Sequence, residues 1–361
     1  MKKILLLISW SLLFISCEKE KIVIVEKEHN WKSHNGFQYD KIAQMNSYAT
    51  VDHLFFLGYN SFTSLVQDSL NHPDAVFGGN LCHYQNWCEQ PSEKKMPICA
   101  DYFIAYNQLG NLKFIPTMNP LLTECSVSLN IKIIDSTFMH FDFLPFSLGE
   151  CIAINDQNQA LIPYLSSVDS RADLKLALVD IKTELTSEVC LDTIKTKILS
   201  IPDVYQCNVI ALESIGDYFF LTTNSMVYRI DNYGNIDNVL KTRLNKIIES
   251  SGTLYGFGRN NIFISSNSGL TWNKGYTIPQ EFNLLNYTKI DSKIIGYRND
   301  QLLDILVNEK EIIAKRLDND GLDGISIISV SKFNGKVYLS TLSGVYYKLT
   351  DKFFDYKIET E

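Results

Sequence analysis

Tyr218-Phe219-Phe220-Leu221-Thr222-Thr223-Asn224-Ser225-Met226-Val227-Tyr228-Arg229-Ile230 sets two apolar runs around a polar Asn-Ser turn, and Asp231-Asn232-Tyr233-Gly234-Asn235 follows as a second turn. Runs this short, rich in aromatic and β-branched residues and bounded by turn formers, read as paired strands rather than helices. The unit returns three times. Thr253-Leu254-Tyr255-Gly256 turns at Asn260-Asn261 into Ile262-Phe263-Ile264, and Lys293-Ile294-Ile295-Gly296-Tyr297 turns at Asn299-Asp300 into Leu302-Leu303-Asp304-Ile305-Leu306. Lys336-Val337-Tyr338-Leu339 turns at Ser343-Gly344 into Val345-Tyr346-Tyr347-Lys348-Leu349. Between the equivalent positions Phe219, Leu254, Ile294 and Val337 the spacings are 35, 40 and 43 residues. That is close to the length of one four-stranded propeller blade, roughly 40–50 residues.

Further strand candidates lie at 325–330 and 354–358, and less regular hairpins around 53–59, 102–116, 131–144, 152–164 and 174–181. Helical periodicity is scarce. Dividing residues 47–361 by a blade of roughly 40–45 residues predicts an all-β propeller of about seven blades, within a range of six to eight. A β-sandwich with a second domain is the competing architecture. A C-terminal strand at 354–358 completed by an N-terminal one would close the ring and remove its exposed edge.

Composition narrows the class. Of 361 residues, 45% are hydrophobic, 20% charged and 12% aromatic, which excludes a disordered or coiled-coil chain. The formal charge is −8, and −10 without Lys2 and Lys3, which argues against nucleic acid as a partner. Met1-Lys2-Lys3 precedes an apolar run at 4–15 that is shorter than the roughly 20 residues a membrane-spanning helix needs. It reads as a signal peptide at 1–16. Leu13-Phe14-Ile15-Ser16-Cys17 resembles the bacterial lipobox, which implies lipidation of Cys17. The mixed-charge segment after Cys17 resembles the surface-export signal of Bacteroidota lipoproteins. The implied address is the bacterial cell envelope, outer membrane and cell surface, with 17–46 a lipid-anchored tether and 47–361 the propeller. Asp68-Ser69-Leu70, Asp135-Ser136-Thr137 and Asp192-Thr193-Ile194 resemble the O-glycosylation motif of those bacteria.

Ser265-Ser266-Asn267-Ser268-Gly269-Leu270-Thr271-Trp272 resembles the Asp-box of BNR-repeat propellers, Ser-x-Asp-x-Gly-x-Thr-Trp, with Asn267 in the Asp position. The resemblance implies a structural turn built by Ser265, Asn267, Gly269, Thr271 and Trp272, away from any catalytic face. Sialidases carry such boxes, yet they need three converging arginines. Only Arg171, Arg229, Arg243, Arg259, Arg298 and Arg316 exist here, and Lys113-Phe114-Ile115-Pro116 lacks the arginine of the sialidase Phe-Arg-Ile-Pro motif. No nucleophile elbow occurs, and no carboxylate pair stands out by spacing.

Cys82, Cys88 and Cys99 are close enough for a local disulfide in an exported chain, within a loop at 78–100. With His83 they also offer four soft donors, but without the CxxC spacing of structural zinc. Tyr84, Trp87 and Trp31 are candidates for stacking on sugars. Asp318-Asn319-Asp320-Gly321-Leu322-Asp323-Gly324 is the candidate Ca²⁺ loop through Asp318, Asp320 and Asp323, although Leu322 and the missing twelfth-position Glu depart from an EF-hand. Together these features predict a noncatalytic, lipid-anchored propeller that binds a protein or glycan. The alternatives are a carbohydrate-active hydrolase or lyase with funnel carboxylates, and an assembly factor for an envelope complex.

Overall fold

The structure, a computed structural model, describes residues 29–34, 46–49, 53–57, 61–66, 75–80, 93–94, 98–99, 102–107, 109–116, 127–141, 152–168, 171–185, 190–205, 209–279, 282, 284–308 and 311–357. From Trp31 onward these form one compact unit. Among the described residues there are seven antiparallel sheets, five of four strands and two of five, so the expected all-β propeller has seven blades. Blade 1 holds Asn46–Ala49, His53–Leu57, Ser61–Val66 and Ala75–Asn80, blade 2 the strands from Glu93–Lys94 to Val127–Asn130, blade 3 those from Phe138–His140 to Cys190–Tyr205, and blade 7 those from Ile327–Phe333 to Gly344–Leu349 with Lys32–Ser33. Blades 4, 5 and 6 begin at Ala211–Ile215, Leu244–Ser250 and Asn286–Ile290, and these first strands run along one another as the inner wall of the ring.

Why the hairpins were so apolar follows from the packing. A blade is covered on both sides by its neighbours, so successive side chains, which point to opposite faces of a strand, are both buried. In Tyr218–Thr222, Phe219 and Leu221 pack with Leu176, Leu178 and Leu199 of blade 3. Phe220 between them packs the other way, with Leu244, Ile247 and Leu254 of blade 5. The alternation repeats in blade 6, where Ile294 joins Phe257 and Ile262 of blade 5 while Ile295 joins Val337 and Leu339 of blade 7. The protein thus has a separate apolar core between each described pair of neighbouring blades rather than one central core.

The last blade contains Ile327–Phe333, Lys336–Thr341 and Gly344–Leu349, and its fourth strand is N-terminal: Lys32 and Ser33 pair with Tyr347 and Tyr346. Ring closure by an N-terminal strand is therefore as anticipated, but its partner is not 354–358. Phe354 ends a one-turn helix, Thr350–Phe353, and Tyr356 forms only an isolated bridge to Leu317. The closing strand also shortens the tether read at 17–46. Trp31 is 2% exposed, packs edge-on against Phe353 at 6.0 Å, and donates from Nε1 to the Asp318 carbonyl at 3.0 Å.

Blades 2 and 3 depart from regularity. The segment read as a loop at 78–100 contributes strands at both ends, Ala75–Asn80 to blade 1 and Glu93–Lys94 and Ile98–Cys99 to blade 2. The hairpin expected at 131–144 is instead a one-turn helix, Ile131–Ile134, followed by the strand Phe138–His140. Asn130 explains the change: its side chain accepts from Ile133 N and caps the turn, an alternative to sheet pairing that Asn readily offers. In blade 3, Arg171–Leu185 and Cys190–Tyr205 form a ribbon that outruns the second strand, Gln159–Val168, which pairs only as far as Asp180.

Candidate functional site

The alternation of strands gives the ring two faces. One carries the turns between first and second strands and between third and fourth strands; the other carries the turns between second and third strands and the connections from blade to blade.

The first face is riveted. Gln157 of blade 3 donates from Nε2 to Asp217 of blade 4 at 2.9 Å, and Arg229 of blade 4 donates from Nε to the Ser268 carbonyl of blade 5 at 2.9 Å. Glu249 of blade 5 meets Lys289 of blade 6 at 2.6 Å, and Lys332 of blade 7 reaches back to Asp291 of blade 6. The Lys289 hydrogen bond, followed by that from Gly252 N, holds the Glu249 carboxyl below its ordinary range.

The turn at Ser265–Trp272 lies on this face and is closed by its own side chains. Gly269 N donates to Ser265 Oγ at 3.0 Å, Thr271 N to Asn267 Oδ1 at 3.0 Å, and Trp272 Nε1 to the Gly269 carbonyl at 3.0 Å. Asn267 Nδ2 donates to Thr271 Oγ1 at 2.9 Å, where an aspartate would instead accept from the hydroxyl. Gly269 has φ +76°, and a Cβ there would lie 2.3 Å from Phe220 Cε1 of the preceding blade.

The opposite face is where the arginines gather. Arg259 and Arg298 occupy equivalent turns in blades 5 and 6, and Arg171 begins the third strand of blade 3 beside the corresponding turn. Arg243 and Arg316 sit at blade-to-blade connections. Five of the six arginines therefore fall on this side, leaving Arg229 for the rivets. Between blades 4, 5 and 6 the face opens into a groove of about 790 Å³ lined by Asn224, Ser225, Lys241, Thr242, Arg243, Asn245, Arg259 and Leu284. No carboxylate is among those lining residues. Lys241, Arg243 and Arg259 are exposed, and among the described residues none of the three enters an ion pair; Arg243 Nε donates only to Asn245 Oδ1, at 3.2 Å.

The candidate calcium loop does not assemble. Asp318 Oδ2 accepts from Lys348 Nζ at 2.9 Å, with Lys348 only 4% exposed, and Asp318 Oδ1 accepts from Asp320 N. A buried ammonium already neutralises the first of the three carboxylates, and among the described residues no three His, Cys, Asp or Glu side chains gather as a metal site would need. Asp323 lies instead beside Arg316 and Lys357 in a small cleft of about 80 Å³. Trp31, a sugar-stacking candidate, is consumed by the ring closure. Cys17, Cys82, Tyr84, Trp87 and Cys88 fall outside the described residues, and Cys99 is described only as part of a blade 2 strand.

One further polar cluster stands near the cationic face, in blade 3. Asp135 Oδ2 accepts from Tyr164 Oη and Lys175 Nζ, both at 2.7 Å, while Oδ1 accepts from Thr137 Oγ1 at 2.6 Å. Burial opposes ionisation of Asp135, but the hydrogen bonds from Lys175, Thr137 and Tyr164 prevail and hold its carboxyl far below the usual range. Burial, reinforced by Asp135, pushes the Tyr164 phenol well up. Every polar atom in this cluster is satisfied, so it ties the connection at 131–137 to its blade.

Comparison with known proteins agrees with the architecture. No family model and no curated protein matches the chain. Among solved structures 394 chains match. A chain from the crystal structure of a mitotic checkpoint complex aligns with a TM-score of 0.52 at 9% identity, over 90% of this chain and 96% of that one. BamB from Moraxella catarrhalis aligns at 0.46 and 11% identity, over 83% and 82%. The Neurospora crassa Pan2 WD40 domain aligns at 0.49 and 9%, over 89% and 95%. At such identities the likeness concerns the fold alone.

Proposed function

We propose that this chain is a bacterial envelope lipoprotein, anchored through Cys17, whose propeller holds a macromolecular partner on the face formed by the blade-to-blade connections and the turns at Arg259 and Arg298. The observation that carries this reading is the segregation of arginine. An acidic chain of formal charge −8 places five of its six arginines on one side of the ring, and among the described residues three cations of one groove there have no carboxylate partner. Unpaired cations gathered in a concavity contribute little to stability, since even paired surface charges yield only about 0–1 kcal/mol, whereas they suit recognition and steering of an anionic surface.

In this reading the partner is bound and not transformed. Residues 1–16 are the export leader, and the segment 17–30 is the tether. The Ser265–Trp272 turn is an Asp-box-type rivet whose amide at Asn267 donates to Thr271 where the usual aspartate would accept.

Two measurements test the proposal. Metabolic labelling with a fatty acid should mark the wild-type chain and leave Cys17→Ala unlabelled. A photo-crosslinking side chain introduced in native membranes at Ser225, on the cationic face, should capture a discrete partner that the same probe at Tyr233, exposed on the riveted face, does not. Equal capture from both positions, or none from Ser225, would reject the assigned face.

A further inference from the structure

Resting on that choice of face, the geometry points to an acidic peptide segment of the partner protein as the occupant of the groove between blades 4, 5 and 6. Three features select it. Arg243 and Arg259 present two guanidinium forks, which pair bidentately with carboxylates, and Lys241 adds a third positive point beside them. Asn224, Ser225, Thr242 and Asn245 supply the neutral donors and acceptors that an extended peptide backbone needs for its own N–H and C=O groups. Leu284, 56% exposed, offers an aliphatic contact beside the cations.

The same lining disfavours a sugar. Among the described residues it contains no Tyr, Trp or Phe, so an anionic glycan would find charge here but no described aromatic platform for its rings. The volume, about 790 Å³, lies within the range of built ligand pockets, roughly 300–1,000 Å³, and so suits a short stretch of chain rather than a folded domain. The recognised segment is thus one with two or three Asp or Glu and a neighbouring aliphatic residue.

The test uses the full lipidated chain in detergent and fluorescence anisotropy. The probe is a labelled peptide repeating Glu-Asp-Leu-Glu-Asp-Gly; the comparison peptide carries Gln and Asn at the acidic positions, and the competitor is an oligogalacturonate. The acidic peptide should bind and the amide peptide should not, with affinity falling steeply between about 50 and 300 mM NaCl as the Debye length shrinks. Because both arginines are exposed, the double variant R243Q/R259Q should keep its thermal midpoint yet lose at least about tenfold in affinity, the loss expected when two charge-assisted contacts go. Unchanged binding in that variant would place the peptide elsewhere, and binding of the oligogalacturonate in preference to the peptide would make the ligand a glycan; either overturns the inference. If neither probe binds while Ser225 still captures a partner, the acidic-peptide assignment falls alone. If Ser225 captures nothing as well, the face itself has been misassigned.

Discussion

Replacing Gly269 with alanine tests whether the Ser265–Trp272 turn locks two blades together. Two costs arise. The residue sits at φ +76°, where a Cβ costs roughly 1–2 kcal/mol in an L-residue. That Cβ would also stand 2.3 and 2.5 Å from Cε1 and Cζ of Phe220, a side chain only 1% exposed and packed edge-on against Trp272 at 6.3 Å. Relieving such an overlap in a closed core costs about 1–3 kcal/mol. Gly252, in the same blade at φ +78°, has nothing within 4 Å of its hypothetical Cβ. Gly252→Ala therefore bears the backbone cost alone, and the change in unfolded-chain entropy is common to both variants. In urea unfolding followed by tryptophan fluorescence, G269A should lose about 1–3 kcal/mol more than G252A. Losses equal within about 0.5 kcal/mol would refute the reasoning, because Phe220 would then be able to move aside.

Other consequences are simpler to state. Trp31→Ala should destabilise by about 3–5 kcal/mol in the same urea assay, since it empties a buried site and removes the clamp on the two-residue closing strand. Asp135 has a depressed carboxyl pKa in the folded chain, so its contribution is full above the unfolded value near 3.9 and drains as pH falls below it; the stability gap between wild type and Asp135→Asn should narrow from pH 7 to pH 3, and a constant gap would disprove the linkage. Lys293→Met should cost roughly 2–4 kcal/mol, because Asp304, at 0% exposure, keeps only the Tyr356 hydroxyl as a described donor; adding Asp304→Asn should recover part of that loss, measured by thermal unfolding. Burial, overcome by Asp304, leaves the Lys293 ammonium pKa raised, so the stabilisation from this ion pair is full below the lysine's unfolded value and is lost as pH rises from there through the raised folded-state value.

The four later hairpins were legible because both faces of a blade are buried, which turns ordinary strands such as Lys336–Thr341 into unbroken apolar runs with an audible period. The closing strand was not, since two residues, Lys32 and Ser33, carry no periodicity at all. The helix at 131–134 was hidden by a local competitor, the Asn130 cap, within residues that otherwise suit a strand. Asp318, Asp320 and Asp323 resembled an ion loop because carboxylate spacing is a short-range signal. Lys348, which occupies the Asp318 carboxylate, lies thirty residues downstream and enters only through the fold. The groove shows the same limit: Arg243 and Arg259 were visible as too few arginines for a sialidase, and only the strand alternation brings them to one face with Lys241.

That division of the ring has a physical logic. A short-range contact between neighbouring turns stabilises the ring only if its partners stay paired, so the Gln157–Asp217, Arg229–Ser268, Glu249–Lys289 and Asp291–Lys332 contacts cannot also serve a ligand. The apolar cores between blades carry most of the cohesion, and the rivets add ties between neighbouring turns. The other face has structural ties of its own, Ile327 N to the Asn299 carbonyl and the Asp135 cluster among them, but Lys241, Arg243 and Arg259 take no part in these and stay without an ion pair among the described residues at little expense in stability. Substitutions on the two faces should then be separable: Asp217→Ala should lower the unfolding midpoint without altering capture from Ser225, whereas R243Q/R259Q should do the reverse. A variant on the riveted face that weakened binding while leaving stability intact would break this argument, because it would require the ring to transmit shape from one face to the other.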